Sequence, residues 1–175
     1  MTGTLFQNSD SSAVISPDGL YRYRLDRQWD PAVGASVLWV MLNPSTADAE
    51  INDRTMDRVI SFSLRFGFRR LQVVNLFAYR ATKPRALLTA DDPIGPENDA
   101  AIALAAQQTS AVVCAWGANP RYRQRAEQVV AILDANASSK SYQCLGKTKD
   151  GHPRHPLYVR GDAELQPFWL PAHAR

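Results

Sequence analysis

The sequence predicts an α/β fold: a three-layer α/β/α sandwich around a central, mainly parallel four-stranded sheet, with an N-terminal β-hairpin added. Two observations lead there. Apolar runs recur along the chain and alternate with segments whose apolar residues fall at helical spacing, the order expected of repeated βα units. The runs "SVLWVML", "LQVVNLF" and "AVVCAWG" also lack the polar alternation of a half-exposed strand, so each suits a strand covered on both faces. A length of 175 residues fits one domain, 1–175, with residues 1–30 as the hairpin extension, and is enough to bury a core without cross-links.

The elements follow in order. Pro17-Asp18-Gly19 is turn chemistry, and Leu20 to Leu25 is rich in strand formers, which makes the hairpin. "SVLWVML" is the first core strand. In "DRTMDRVISFSLRFG", Met56, Val59, Ile60 and Ser63 recur at helical spacing, Asp53 suits the N-cap and Gly67 the end. "LQVVNLF" is the second strand. "PENDAAIALAAQQ" is an alanine-rich helix with Pro96 and acidic residues at its start, where they suit the helix dipole. "AVVCAWG" is the third strand. Ala126, Val129, Val130 and Leu133 mark the helix after Tyr122, and "SYQCLG" is the fourth strand. A polar loop and a proline-containing tail close the chain.

Composition is that of an ordinary globular protein, 45% hydrophobic and 21% charged, with a formal net charge of +3. The mild basicity permits a polyanionic partner without requiring one. Arginines cluster along the sequence at Arg65, Arg69 and Arg70, at Arg121, Arg123 and Arg125, and at Arg154 and Arg160. Such clusters read either as a solvated surface or as a patch for phosphates. Cys114 and Cys144 lie in apolar stretches with no metal or redox spacing, so they are expected to be reduced core residues of a cytoplasmic protein. There is no signal-peptide pattern, and "VLWVML" is too short to span a bilayer, so no membrane association is expected.

In open α/β sheets, ligands bind beyond the carboxyl ends of the strands. Asn43 follows the first strand, Asn75 lies near the end of the second, Trp116-Gly117 end the third, and His152 and His155 follow the fourth. The predicted fold therefore gathers them at one edge. In "LNPSTAD", Asn43 offers one acceptor and two donors on a turn stiffened by Pro44. Asp48 and Asp53 are candidate carboxylates. Ser45, Thr46 and Asp48 read equally well as helix-entry capping residues. Asn75 interrupts an apolar run, and a buried amide needs a partner, either backbone or a planar ligand such as a nucleobase edge. Phe77 could stack on a base or pack beneath the loop, and Arg80 could meet a phosphate. His152 and His155 have an H-x-x-H spacing broken by Pro153. With no further ligand nearby, an acid or electrophilic histidine suits them better than a metal, and no metal or other cofactor is expected. Two exposed loop histidines is the plainer alternative. Gly-rich phosphate loops and a serine nucleophile elbow are absent from the sequence.

Together "MLNPSTAD", "VVNLFAYRAT", "CAWG" and "KDGHPRHPLYV" resemble, from Leu38 to Val159 in motif order, a bacterial family catalogued as number sixteen-forty-three of the domains of unknown function. That resemblance implies no activity. More distantly, the motif order is similar to that of the uracil-DNA glycosylase superfamily, which implies a parallel-sheet α/β/α sandwich. On that likeness, Asn43 of Met41-Leu42-Asn43-Pro44 would orient the attacking water and Asn75 would read the base edge. Trp116-Gly117 would match the end of the third strand, and His155-Pro156 the last motif, with His152-Pro153 as a second candidate. Leu157-Tyr158 stand where the superfamily has Ser-Pro, so the phosphate-pinching serine is missing; Tyr158 is a further candidate binding residue.

Three functions are open on this reading. One is a nucleobase-recognising N-glycosidic hydrolase acting on a modified or deaminated base in nucleic acid, with Asp48 or Asp53 as base because an amide takes up no proton near neutrality. The second is a non-catalytic module binding nucleic acid or a nucleotide. The third is a hydrolase of small nucleosides or nucleotides.

Overall fold

Four parallel strands, each formed where an apolar run was expected, lie at the middle of the computed structural model, which describes residues 10–29, 34–45, 47–139 and 141–170. The elements in chain order are β1 (Ser11–Ile15), β2 (Arg22–Gln28), β3 (Ser36–Met41), α1 (Arg54–Arg65), β4 (Arg70–Asn75), α2 (Asn98–Gln108), β5 (Ala111–Cys114), α3 (Arg123–Asn136), β6 (Tyr142–Cys144) and β7 (Gln166–Phe168). Across the sheet the order is β1-β2-β4-β3-β5-β6-β7. β3 pairs in parallel with both β4 and β5, and β5 with β6. The flanking pairs β1/β2, β2/β4 and β6/β7 are antiparallel.

The sheet thus has seven strands where four plus a separate hairpin were expected. The hairpin is not an appendage, because β2 continues the sheet against β4. A buried polar network holds it there. The Asp26 carboxylate accepts from Arg24 Nε at 2.8 Å, Gln72 Nε2 at 2.9 Å and Ser12 Oγ at 3.2 Å, linking β1, β2 and β4. The tail supplies the other edge. Phe168 is buried edge-on against the Trp116 ring, at 5.4 Å between centroids, which draws β7 onto β6. Pro167 is tolerated there because an edge strand leaves one side of its backbone unpaired. Residues 1–9 of the expected hairpin extension, and Thr46, lie outside the described residues.

Side chains alternate across the sheet and divide the core in two. Val37, Trp39 and Met41 of β3 and Leu71 and Val73 of β4 pack against Met56, Val59, Ile60 and Phe62 of α1. Leu38, Val40, Val74 and Val112 pack on the other face against Ile102 and Ala105 of α2 and Val129 and Leu133 of α3. Helices therefore cover both faces. Asp53 caps α1, its carboxylate accepting from the Met56 N–H at 2.9 Å, and Gly67 follows the helix at φ +82°. Ser63, on the apolar stripe of α1, accepts from Trp39 Nε1 at 2.9 Å and donates to the Val59 carbonyl at 2.8 Å, so the buried indole is satisfied. Cys114 and Cys144 are buried free thiols, and burial pushes both thiols above their usual pKa, away from nucleophilic use. Among the described residues, no helix is long and apolar enough to cross a membrane.

Candidate functional site

Beyond the carboxyl ends of β3, β4 and β5 the loops are laced together by backbone hydrogen bonds. Leu76 N–H donates to Met41 O at 2.9 Å, Phe77 N–H to Leu42 O at 3.0 Å, and Ala81 N–H to Pro44 O at 2.9 Å. Asn43 reinforces the same seam, its Nδ2 donating to Ala81 O at 2.7 Å and to Pro44 O at 3.0 Å. Both amide hydrogens are therefore engaged by the backbone, and Oδ1 is the atom left to meet a ligand.

The loop after β6 is held from two sides. Gly117 N–H donates to Pro153 O at 2.9 Å, and Arg154 N–H to Gly146 O at 2.9 Å. Arg58 of α1 reaches across, its Nη2 donating to Val159 O at 2.7 Å, which fixes the short 3-10 turn Pro156–Tyr158. Gly117 has φ +83°, a conformation glycine adopts without penalty, and this sharp turn lets the two loops meet.

These loops and the start of α1 enclose a cavity of about 680 Å³. Asn43, Asp53, Asn75, Trp116, Gly117, His155 and Tyr158 all line it. In β4, Asn75 continues the series Leu71 and Val73 that faces α1, so its amide emerges where α1 begins. Asn98 Nδ2 donates to the carbonyls of Asn75 and Leu76, at 3.1 and 3.2 Å, and Arg125 Nε to Leu76 O at 2.8 Å, so the backbone at this strand end is doubly anchored. Asn75 is 1% exposed, and its Nδ2 has no hydrogen-bond partner among the described residues. The same is true of Trp116 Nε1 and of Arg22 Nε, and Arg22 lines the cavity too. Three buried donors thus lack acceptors on residues that share one cavity. Because an unpaired buried N–H costs about 1–3 kcal/mol, such a cluster favours a ligand rich in acceptors.

His155 Nδ1 accepts from the Leu157 N–H at 3.3 Å. The neutral ring therefore carries its proton on Nε2, which makes it a donor. Burial lowers the His155 pKa below 6.5, with the Asp53 carboxylate acting in the opposite sense, so the imidazole is neutral near pH 7.

The remaining sequence candidates lie elsewhere. The Asp48 carboxylate accepts from the N–H groups of Ile51 and Glu50, which hold its pKa below the usual value; it shapes a turn and does not line the cavity. Phe77 is buried against Tyr122, edge to face at 5.1 Å, and does not reach the cavity. Pro44 is buried in the seam. His152 is 7% exposed, and its backbone exchanges hydrogen bonds with Thr148. Arg80 lines a neighbouring cavity of about 940 Å³ with Tyr79, Lys83 and Arg85, and Ser45, Ala81 and Thr82 border both spaces. The arginine clusters of the sequence are largely structural. Arg65 pairs with Glu164, Arg70 with Asp26, Arg123 with Glu127, Arg125 with Asp99, and Arg160 with Asp162. Arg22, Arg54 and Arg58 had drawn no functional expectation. No group of three or more His, Cys, Asp or Glu among the described residues is arranged to hold a metal ion.

Fold and site together define an α/β protein with a polar cavity beyond the carboxyl ends of its parallel strands. Residues 22–157 match the family described as Protein of unknown function (DUF1643), and the chain belongs to that family. No curated protein and no solved structure matches it.

Proposed function

We propose that this protein recognises a nucleobase in the 680 Å³ cavity and hydrolyses its N-glycosidic bond. The observation that carries this reading is the buried Asn75 amide, whose Nδ2 lacks a partner in a cavity shared with Asn43, Trp116 and His155. A side-chain amide presents a donor and an acceptor side by side, the complement of a base edge. The distant likeness of the motif order to that of uracil-DNA glycosylases supports the same assignment. The neighbouring space lined by Arg80, Lys83 and Arg85 supports a substrate base carried in nucleic acid.

In the proposed reaction, Asn43 Oδ1 accepts a hydrogen bond from a water and orients it toward the sugar C1′. The C1′–N bond breaks and its electron pair stays on the departing base. His155 Nε2–H donates to the base oxygen on which that charge settles. The water oxygen bonds C1′, and its proton passes to the free oxygen of Asp53, whose Oδ1 already accepts from Met56. One well-placed donor to a developing anion is worth roughly 3 kcal/mol, or about a hundredfold in rate.

The test is incubation with single- and double-stranded DNA and RNA carrying uracil, hypoxanthine or alkylated bases, scored for abasic sites. Asn75→Leu keeps the side-chain shape while removing both polar atoms, so it is expected to fold at least as stably and to lose the activity. Absence of abasic product from every substrate would remove the hydrolase reading. If base-dependent binding persisted without product, the protein would be a binding module, a reading favoured by the amide that stands in the first motif in place of a carboxylate. Turnover of free nucleosides alone would point to a small-molecule hydrolase.

A further inference from the structure

Arg22 opens β2, outside the stretch that carries the glycosylase likeness, yet it lines the cavity and is only 4% exposed. Its Nη1 donates to the Ala47 carbonyl, and its Nε has no partner. None of the ion pairs formed among the described residues includes it. Of the charges around it, Asp53 and Asp48 attract the guanidinium while Arg80 and Arg27 repel it. Both carboxylates have other obligations: Asp53 caps α1 through Met56, and Asp48 accepts from Glu50 and Ile51. Burial lowers the Arg22 pKa to about 10, which still leaves it charged near neutrality.

A buried cation with no carboxylate in ion-pair contact is costly, and buried charges are ordinarily paired directly. The rest of the lining adds to the imbalance. Arg54 and Arg154 stand exposed at the rim, and Asp53 is the one carboxylate among the lining residues. The N-terminus of α1 begins at Arg54, so its dipole adds positive potential on the same side.

We propose that Arg22 is the anion-binding element of this cavity and that the ligand carries a phosphate ester beside the base read by Asn75. The inference rests on the nucleobase reading for the identity of the anion, since phosphate is the acidic group that accompanies a nucleobase. A guanidinium offers phosphate oxygens parallel donors, which a lysine cannot do, and the buried Arg22 Nε has no partner within the protein. The phosphate can belong to a mononucleotide or to a nucleic-acid strand.

Calorimetric titration of the full chain at low salt separates the possibilities, using inorganic phosphate, uridine and inosine, their 5′-monophosphates, and a short single strand containing deoxyuridine. The expected result is that a monophosphate or the strand binds about tenfold or more tightly than the matching nucleoside, and that Arg22→Met abolishes this preference. Whichever of the two binds better identifies the source of the phosphate. Arg22→Met removes a buried charge and keeps an apolar stem but also leaves the Ala47 carbonyl without its donor, so its melting temperature is measured beside the binding to show that it is folded; Arg22→Lys, which keeps the charge without the fork, should retain only part of the preference. If nucleosides bind as tightly as nucleotides, the phosphate site is overturned and the base reading stands. Binding of inorganic phosphate that no base improves overturns the base reading and keeps the Arg22 site. Failure of every probe to bind overturns both.

Discussion

The Gly117 N–H donates to the Pro153 carbonyl across 2.9 Å, joining the turn after the third parallel strand to the loop that carries His155. The bond is made from a left-handed backbone, φ +83°. A Cβ added at Gly117 would meet His155 Cβ at 3.6 Å, an ordinary contact. Gly117→Ala is therefore expected to suffer from backbone strain and not from collision, at about 1–2 kcal/mol. Thermal unfolding should shift down by roughly 2–8 °C. An unchanged melting temperature would mean that the turn is not held in this conformation.

Asn43→Asp supplies a base beside the cavity, yet it should harm the protein. The Nδ2 donors to Ala81 O and Pro44 O would be replaced by an oxygen facing two carbonyls. The expected loss is about 1–3 kcal/mol of stability, together with weaker protection from hydrogen exchange at Ala81. Asn43→Asp as stable as the native chain, with unaltered exchange, would show that the seam does not depend on the amide.

His155 makes stability depend on pH with a definite sign. Its folded pKa is lowered below 6.5 by burial. Between the folded value and 6.5 the unfolded chain holds a proton that the folded chain does not, so stability increases with pH there. The contribution is full above 6.5 and is lost as pH falls from 6.5 to the folded value. NMR titration of the imidazole should give a midpoint below 6.5, and His155→Gln should flatten the melting temperature across that window. A midpoint at or above 6.5 contradicts this account.

Ser63→Ala leaves Trp39 Nε1 buried without its acceptor, since Ser63 Oγ is its partner at 2.9 Å. Denaturant unfolding should report a loss of about 1–3 kcal/mol. Because the pair lies in the core behind α1, Trp39→Phe combined with Ser63→Ala should cost less than the sum of the two single losses, a coupling that a double-mutant cycle reads directly.

Much of this architecture is legible in the sequence. β3, β4 and β5 formed where continuous apolar runs stood, and α1 where Met56, Val59, Ile60 and Ser63 recurred, because these signals are local and depend only on burial period. Asn75 was legible as a polar residue inside an apolar run. That Asn43, Asn75, Trp116 and His155 line one cavity follows from strand alternation, and each motif stands at the end of its strand.

Other assignments needed the tertiary structure. Asp48 and Asp53 are equivalent on paper, but only Asp53 opens α1 beside the cavity, while Asp48 closes a turn. Phe77 and Tyr122 meet only because α3 packs over the end of β4. The hairpin's place in the sheet depends on Asp26 meeting Gln72 across 46 residues of sequence, and β7 on Phe168 meeting Trp116. Arg22 is the sharpest case. Nothing in "LYRYRL" sets it apart, and its burial follows from β2 docking against β4 and from the loop around Ala47 folding over it. Periodicity along the chain determined which segments became strands and helices. Strand order, which is settled by long-range packing and polar pairing, decided which charged and amide residues were brought to the cavity and which of their donors were left without partners.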